Sequence, residues 1–231
     1  MSKLKSGSNS ATRHVSSSTV TQEYATSNIG GILSEDETKP FQHSWRIWCI
    51  FIVLCLLSFM SGLDATIITT SLPTISHDIG GETKYTWIAN SYLFASTAIQ
   101  PLYGQLSNIF GRRNPILLAV SLFAVGSGIG GGARSADMLI AGRVVQGLGT
   151  AGLYVLSDVI ICDMVPPRNR GPYLSAVISS AGIATTVGPI VGGALVRLDW
   201  RWIFWMNLPI SAISFLAILF YLDIEYTRSP T

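Results

Sequence analysis

Three side chains stand out because their surroundings are otherwise apolar. Asp64 follows a stretch from Ile47 to Leu63 that contains no charge. A carboxylate in such a span costs about 2.5–3.5 kcal/mol on insertion scales unless it is protonated, paired or facing water. Low dielectric favours the neutral acid, which suits reversible proton binding near neutral pH. The plainer alternative is a residue at the outer end of its helix that reaches water. Thr66, Thr69 and Thr70 could add polar contacts or simply bond their own helix. Arg143 lies in a second apolar stretch, between Leu139 and Gly149. A permanent cation there must meet a carboxylate, backbone carbonyls or water. Gln146, three residues on, shares its helix face. The pair could polarise a substrate or bias the proton affinity of Asp64, or Arg143 could snorkel to the interface.

Two further patterns point to movement rather than bond chemistry. The segment from Gly104 to Arg113 holds Gly104, Asn108, Gly111, Arg112 and Arg113 between two apolar runs. Glycine permits a tight turn, and the arginines can bind helix-end carbonyls or carboxylates. Asp163 is a candidate partner for Arg112 or Arg113, a charge link that would hold one conformation and release it in another. Further on, Gly182, Gly188, Pro189, Gly192 and Gly193 interrupt an apolar run. Proline removes a backbone hydrogen bond and glycine allows close contact, which suits a rocking interface and equally a static bundle.

The elements that must carry these residues are membrane helices. Hydrophobic residues make up 48% of the chain and charged residues 12%, about half the share of a soluble domain. A crossing needs about 20 mostly apolar residues. Six windows meet that need, at 47–70, 86–107, 115–133, 138–160, 173–196 and 203–222. The expected fold class is therefore an all-α membrane protein, a bundle of six transmembrane helices spanning 45–222. Gly142, Gly147, Gly149 and Gly152 recur at a spacing that lets helix backbones approach closely. A polar stretch, 1–44, has no cleavable apolar core and reads as a disordered cytoplasmic tail. Residues 223–231 read as a second short cytoplasmic tail. With the N-terminus inside, ten basic residues fall on the inner side and four on the outer, with Arg143 in between. The positive-inside rule thus favours cytoplasmic termini, chiefly through Arg112/Arg113 and Arg168/Arg170 in short loops.

Other classes of function find no support. The net charge of +2 is small and its basic residues are scattered, which argues against nucleic acid. Cys49, Cys55 and Cys162 match no metal spacing, and neither a disulfide nor a metal is expected. Ser-His-Asp arrangements, zinc-ligand spacing and a Walker-type phosphate loop are all lacking. Neither an enzyme nor a cofactor is therefore expected, and transport would draw on an ion gradient.

Taken together, the chain resembles the major facilitator superfamily, and within it the fourteen-span drug:proton antiporter branch of fungi. Leu63 to Pro73 looks like that branch's first-span motif, with Asp64 and Pro73 on its marked positions. Gly104, Gly111, Arg112 and Arg113 match the superfamily's cytoplasmic loop motif. Arg143, Gln146, Gly147 and Gly149 match a fourth-span motif whose arginine is implicated in proton transfer in the family. Gly182, Gly188, Pro189, Gly192 and Gly193 match the fifth-span antiporter motif, which favours exporters over importers. Trp200 to Pro209 looks like the entry to the sixth span. Two departures stand out: Asn108 replaces the usual acid of the loop motif, and Ile109 a basic residue.

The resemblance implies the N-terminal six-span half of a major facilitator fold, whose complete form pairs two halves around a midplane site. It implies proton-coupled efflux of drugs, toxins or other small organic compounds, with Asp64, Arg143 and Gln146 as coupling residues. Partners would be the lipid bilayer, the organic substrate, protons, and a missing C-terminal half or a second chain. The end at Thr231 would then be a truncation point. Alternatives are a carrier of another solute, such as an iron chelate or basic amino acid, or a half-transporter that binds or regulates a partner. The plasma membrane is the first expectation for location and the vacuolar membrane the second.

Overall fold

The computed structural model describes residues 45–221, and within them every element is helical. The tails expected at 1–44 and 223–231 lie outside the described residues. Seven α-helices follow one another: α1 Trp45–Asp78, α2 Tyr85–Phe110, α3 Arg113–Gly131, α4 Ala136–Met164, α5 Arg170–Val196, α6 Trp202–Trp205 and α7 Asn207–Tyr221. The last expected window is thus split at Met206 into one turn and a longer helix.

Helices outrun the hydropathy windows because a backbone can keep its hydrogen bonds past the apolar stretch. At 34 residues, α1 is about 51 Å long, well beyond the roughly 30 Å hydrocarbon core. It continues through Pro73, where the Ser76 hydroxyl donates to the Pro73 carbonyl at 3.0 Å. It stops where Gly80 takes a left-handed φ of 65° and Gly81 N–H reaches back to Ser76 O, a glycine-dependent helix end. α4 starts with Ser135 accepting from Met138 N–H, and Asp137 in its first turn suits the positive end of the helix.

Among the described residues, five stretches are long and apolar enough to cross a membrane: Ile47–Asp78, Arg113–Gly131, Ala136–Met164, Pro167–Val196 and Trp202–Phe220. The expected second span is not among them, although α2 has 26 residues. Its polar residues depress the average, yet Ser91, Ser96 and Ser107 are buried inward while Leu93, Phe94 and Leu102 face outward. An average taken over both faces of such an amphipathic helix falls below that of a helix apolar all round. Exposed tryptophans mark both ends: Trp45 and Trp48 at one, Trp87, Trp202 and Trp205 at the other. Two such sets match the two interfaces of a bilayer.

The closest helix pairs are α3 with α4, α1 with α5, and α2 with α4. Glycine makes them close. A Cβ on Gly149 would stand 2.4 Å from Phe123 N, one on Gly126 2.4 Å from Gln146 N, and one on Gly147 2.5 Å from Tyr92 O. The Gly-rich end of α3 has the same cause, since a Cβ on Gly130 would lie 2.7 Å from the Phe204 ring. Two apolar clusters fill the interior. One gathers Leu54, Leu57, Phe123 and Ile160, and the other Ile68, Leu139, Ile203 and Phe204.

These contacts separate essential glycines from tolerant ones. Gly149→Ala should lower stability by about 1–3 kcal/mol through overpacking. Gly182→Ala and Gly193→Ala, where nothing lies within 4 Å of the new carbon, should stay within about 0.5 kcal/mol. Unfolding in mixed micelles, followed by helical circular dichroism, measures the difference.

Candidate functional site

Between the two apolar clusters, five helices contribute to one polar network. Arg143 Nη1 of α4 donates to Asp64 Oδ2 of α1 at 2.5 Å and to Gln146 Oε1 at 2.7 Å. Gln146 Nε2 donates to Ser127 Oγ of α3 at 2.9 Å. The other carboxylate oxygen, Asp64 Oδ1, accepts from Asn207 Nδ2, the first residue of α7, at 3.0 Å. The Tyr92 ring of α2 lies 4.2 Å from the Arg143 guanidinium carbon, within cation–π range.

Burial decides between the readings left open by the sequence. Asp64 is 0% exposed and Arg143 1% exposed, so neither reaches water along its own helix and the arginine does not snorkel. The three threonines contribute nothing to this network: Thr66 bonds Gly62 O and Leu63 O, Thr69 bonds Thr66 O, and Thr70 bonds Ile67 O.

The pair is strong but incomplete. One guanidinium nitrogen serves both Asp64 and Gln146, and Arg143 Nε has no hydrogen-bond partner among the described residues. This is not the bidentate fork that locks an arginine to a carboxylate. A proton added to Asp64 would compete with Arg143 for the same oxygen and leave the cation in need of another acceptor. Gln146 Oε1 already offers Arg143 a second acceptor beside Asp64.

The second expected site is smaller than anticipated. Helix α2 continues to Phe110, so the loop expected over Gly104–Arg113 shrinks to Gly111 and Arg112. Gly111 has φ 77°, a conformation that favours glycine. Gly104 lies inside α2 with open space beside it and makes no turn, while Asn108 is exposed. Arg112 Nε donates to Asp163 Oδ2 at 2.6 Å, joining the α2–α3 turn to the end of α4. Arg113 Nη2 donates to Leu219 O at 2.8 Å and satisfies a carbonyl near the end of α7.

The fifth-span set divides in two. A Cβ on Gly188 would lie 2.0 Å from Thr66 Oγ1, and one on Gly192 2.8 Å from Thr70 Oγ1, so these two admit α1. Gly182, Pro189 and Gly193 are exposed on the far face, and α5 stays a continuous helix through Pro189. At the opposite end from Arg112, Trp200 Nε1 donates to Asp78 Oδ2 at 3.1 Å beside a polar recess of about 370 Å³. Neither Asp64 nor Arg143 lines that recess.

A family model described as Major Facilitator Superfamily matches residues 54–231. The chain belongs to that superfamily. The superfamily consists of multi-pass membrane transporters, which are not enzymes. Among curated relatives, the MFS efflux transporter aclA of Aspergillus oryzae is 49% identical over 201 residues, covering 84% of this chain and 36% of that protein. The efflux pump FUS6 of Gibberella fujikuroi is 42% identical over 199 residues, covering 86% and 36%. The chain thus spans about a third of the length of these relatives. A crystal structure of a D-xylose–proton symporter shares the fold, with TM-score 0.66 and 19% identity over 75% of this chain and 48% of the other.

Several superfamily side chains in the network escaped the sequence reading as contacts. Asn207 had a usable signal, a polar amide opening an apolar helix. Ser127 and Tyr92 had none, because a serine or tyrosine in a membrane helix is common and only the fold aims it at Arg143.

The two ion pairs should respond differently to substitution. Asp64→Ala strands a buried cation and should cost about 3–5 kcal/mol, while Asp64→Asn with Arg143→Gln should recover most of it. Asp163→Asn breaks a pair whose side chains are 17% and 36% exposed, and should cost less than about 1 kcal/mol. Denaturant titration in micelles ranks all three.

Proposed function

We propose that the chain supplies the proton-coupling helices of an efflux antiporter for small, largely apolar organic compounds. The observation that carries this reading is the buried Asp64–Arg143 pair, shared between α1 and α4 and held by single hydrogen bonds. Such a pair is unneeded for stability, since apolar residues of similar volume serve a core at least as well. Its retention in a lipid-solvated bundle points to use of the charge, and a proton is the ligand that a carboxylate facing an arginine can take. The names of the fungal relatives, efflux transporter and efflux pump, support export as the direction.

In this reading all six long segments cross the bilayer, α2 with its polar face inward, and α6 and α7 together form the sixth span. The termini face the cytoplasm, which the basic α2–α3 turn favours, and the plasma membrane is the site of residence. The helices work against a second set, contributed elsewhere in the protein or by another chain. Arg112 and Asp163 act as the releasable link between the α2–α3 turn and α4. Being weak in energy, that pair suits a contact that forms and breaks within each cycle.

The test uses the protein at its full encoded length in proteoliposomes, with ethidium and the neutral dye Nile red as probes. A proton gradient across the vesicle should drive dye accumulation, and Asp64→Asn should reduce it by about 5–150-fold, the range of typical coupling energies. Gradient-driven accumulation in Asp64→Asn at the wild-type rate would overturn the coupling role. Transport of neither dye would overturn the substrate class.

A further inference from the structure

Helix α4 is the most enclosed of the five apolar stretches, packed against α3, α2 and α1. From Gly142 to Cys162 a single residue of it is exposed, and that residue is Asp158. A polar ladder leads to it. Gln146, Thr150, Tyr154 and Asp158 recur every four residues, with Arg143 three before the first. Four-residue steps keep these side chains on one slowly turning face. Exposure grows along the ladder: Gln146 and Thr150 are buried, Tyr154 is half-buried and Asp158 is open. The face that holds the ion pair at one end is therefore open at the other.

Asp158 lies six residues before the end of α4, about 9 Å along the axis, and about 22 Å beyond Arg143. At 29 residues α4 exceeds the hydrocarbon core by about 14 Å, so Asp158 falls just inside that core when the helix is centred in it. Facing lipid there, a carboxylate would be costly, whereas facing a water-filled space it is not. Among the described residues it makes no hydrogen bond or ion pair. The arginines of that end are engaged elsewhere: Arg112 with Asp163, Arg113 with Leu219 O and Arg170 with Val165 O. The half-open residues beside Asp158 on α4 are Tyr154, Val155, Val159 and Cys162. An acceptor without a donor, set among apolar side chains and an aromatic ring, is the makeup of a contact for a cation on an apolar frame.

We propose that Asp158 is the anionic contact that selects positively charged organic substrates, with Tyr154, Val155 and Val159 receiving their apolar part. This deepens the efflux function proposed above and rests on it. In this reading the opposite wall of the space comes from the second set of helices. The role is distinct from that of Asp64. Asp158 stands about 22 Å from the level of Arg143, more than twice the Debye length of about 8–10 Å, so a cation bound there leaves the ion pair undisturbed. Asp64 takes the proton and Asp158 the charge of the cargo. Losing Asp158 therefore changes which compounds are bound, and losing Asp64 changes whether a gradient drives them.

Binding measured without any gradient tests this apart from proton coupling. Full-length protein immobilised on scintillation beads is titrated with tritiated tetraphenylphosphonium. Neutral triphenylphosphine oxide, which keeps three of the rings without the charge, serves as competitor. Asp158→Asn should weaken tetraphenylphosphonium about fivefold, the upper end for an ion pair open to water, and leave the inhibition constant of the neutral compound unchanged. Asp158→Glu should restore the cation affinity. The difference between wild type and Asp158→Asn should shrink as salt rises, which a merely structural role would not produce. Unchanged tetraphenylphosphonium affinity in Asp158→Asn overturns the contact. So does equal weakening of both compounds without rescue by Asp158→Glu, and so does a wild type that binds no tetraphenylphosphonium. A wild type that binds the cation but accumulates no dye under a proton gradient overturns the efflux function instead, and the Asp158→Asn affinity still decides the contact.

Discussion

A guanidinium and a carboxylate shut away from water inside a bundle whose own solvent is lipid set the terms for the rest of the structure. Neither charge has a fallback in hydrocarbon, so every neighbour must neutralise, bond or enclose them. Arg143 spans from α4 to α1, Asn207 closes on Asp64 from α7, and Gln146 leans on Ser127 of α3. Apolar layers on both sides, with Met60 in one and Leu63 in the other, exclude solvent. The same layers strengthen the attraction by lowering the local dielectric.

Reach imposes the next constraint. Arg143 touches Asp64 only because α4 lies almost in van der Waals contact with α2 and α3, at Gly147 against Tyr92 O and Gly149 against Phe123 N. A larger residue at either point would move α4 away by more than a hydrogen bond tolerates. The glycines of α4 are therefore part of the ion pair in a mechanical sense, even though no polar atom of theirs touches it. In lipid, where no hydrophobic effect drives helices together, such close backbone packing is the main source of cohesion. Cohesion and charge placement thus share the same residues.

Much of this was legible in the sequence, and the failures have identifiable causes. Asp64 and Arg143 could be singled out because a charge in an apolar run is costly wherever the fold puts it. That they meet was not legible, since 79 residues separate them and periodicity is silent about helix-to-helix register. The packing role of Gly142 to Gly152 was read correctly from spacing. Gly104 was misjudged as a turn residue because glycine is common both inside membrane helices and at their ends. Only φ at Gly111 distinguishes the two. Gly182 and Gly193 look identical to Gly188 and Gly192 in sequence, and which pair meets α1 depends on a rotation of α5 that the motif does not encode. Helix α2 was expected as a span from its window, but its polar residues leave it outside the five stretches apolar enough to cross a membrane among the described residues.

The division within α5 fits the proposed function. One narrow strip, through Val177, Ala184, Gly188 and Gly192, is buried against α1. The remainder is open, with Ile178, Ile183 and Ile190 beside Gly182, Pro189 and Gly193. Thr185 and Thr186 on that face both donate to Gly182 O, so they leave no unmet hydroxyl toward whatever lies outside. A face of apolar and self-satisfied residues makes no directional bonds, so a neighbour can slide along it without breaking any. The α1 side differs in kind: it carries the carboxylate, two buried serines, Ser61 and Ser71, with no hydrogen-bond partner among the described residues, and the tightest glycine contacts. In the proposed mechanism the moving contact would belong on the first surface and the proton on the second, so that one helix pair would carry both.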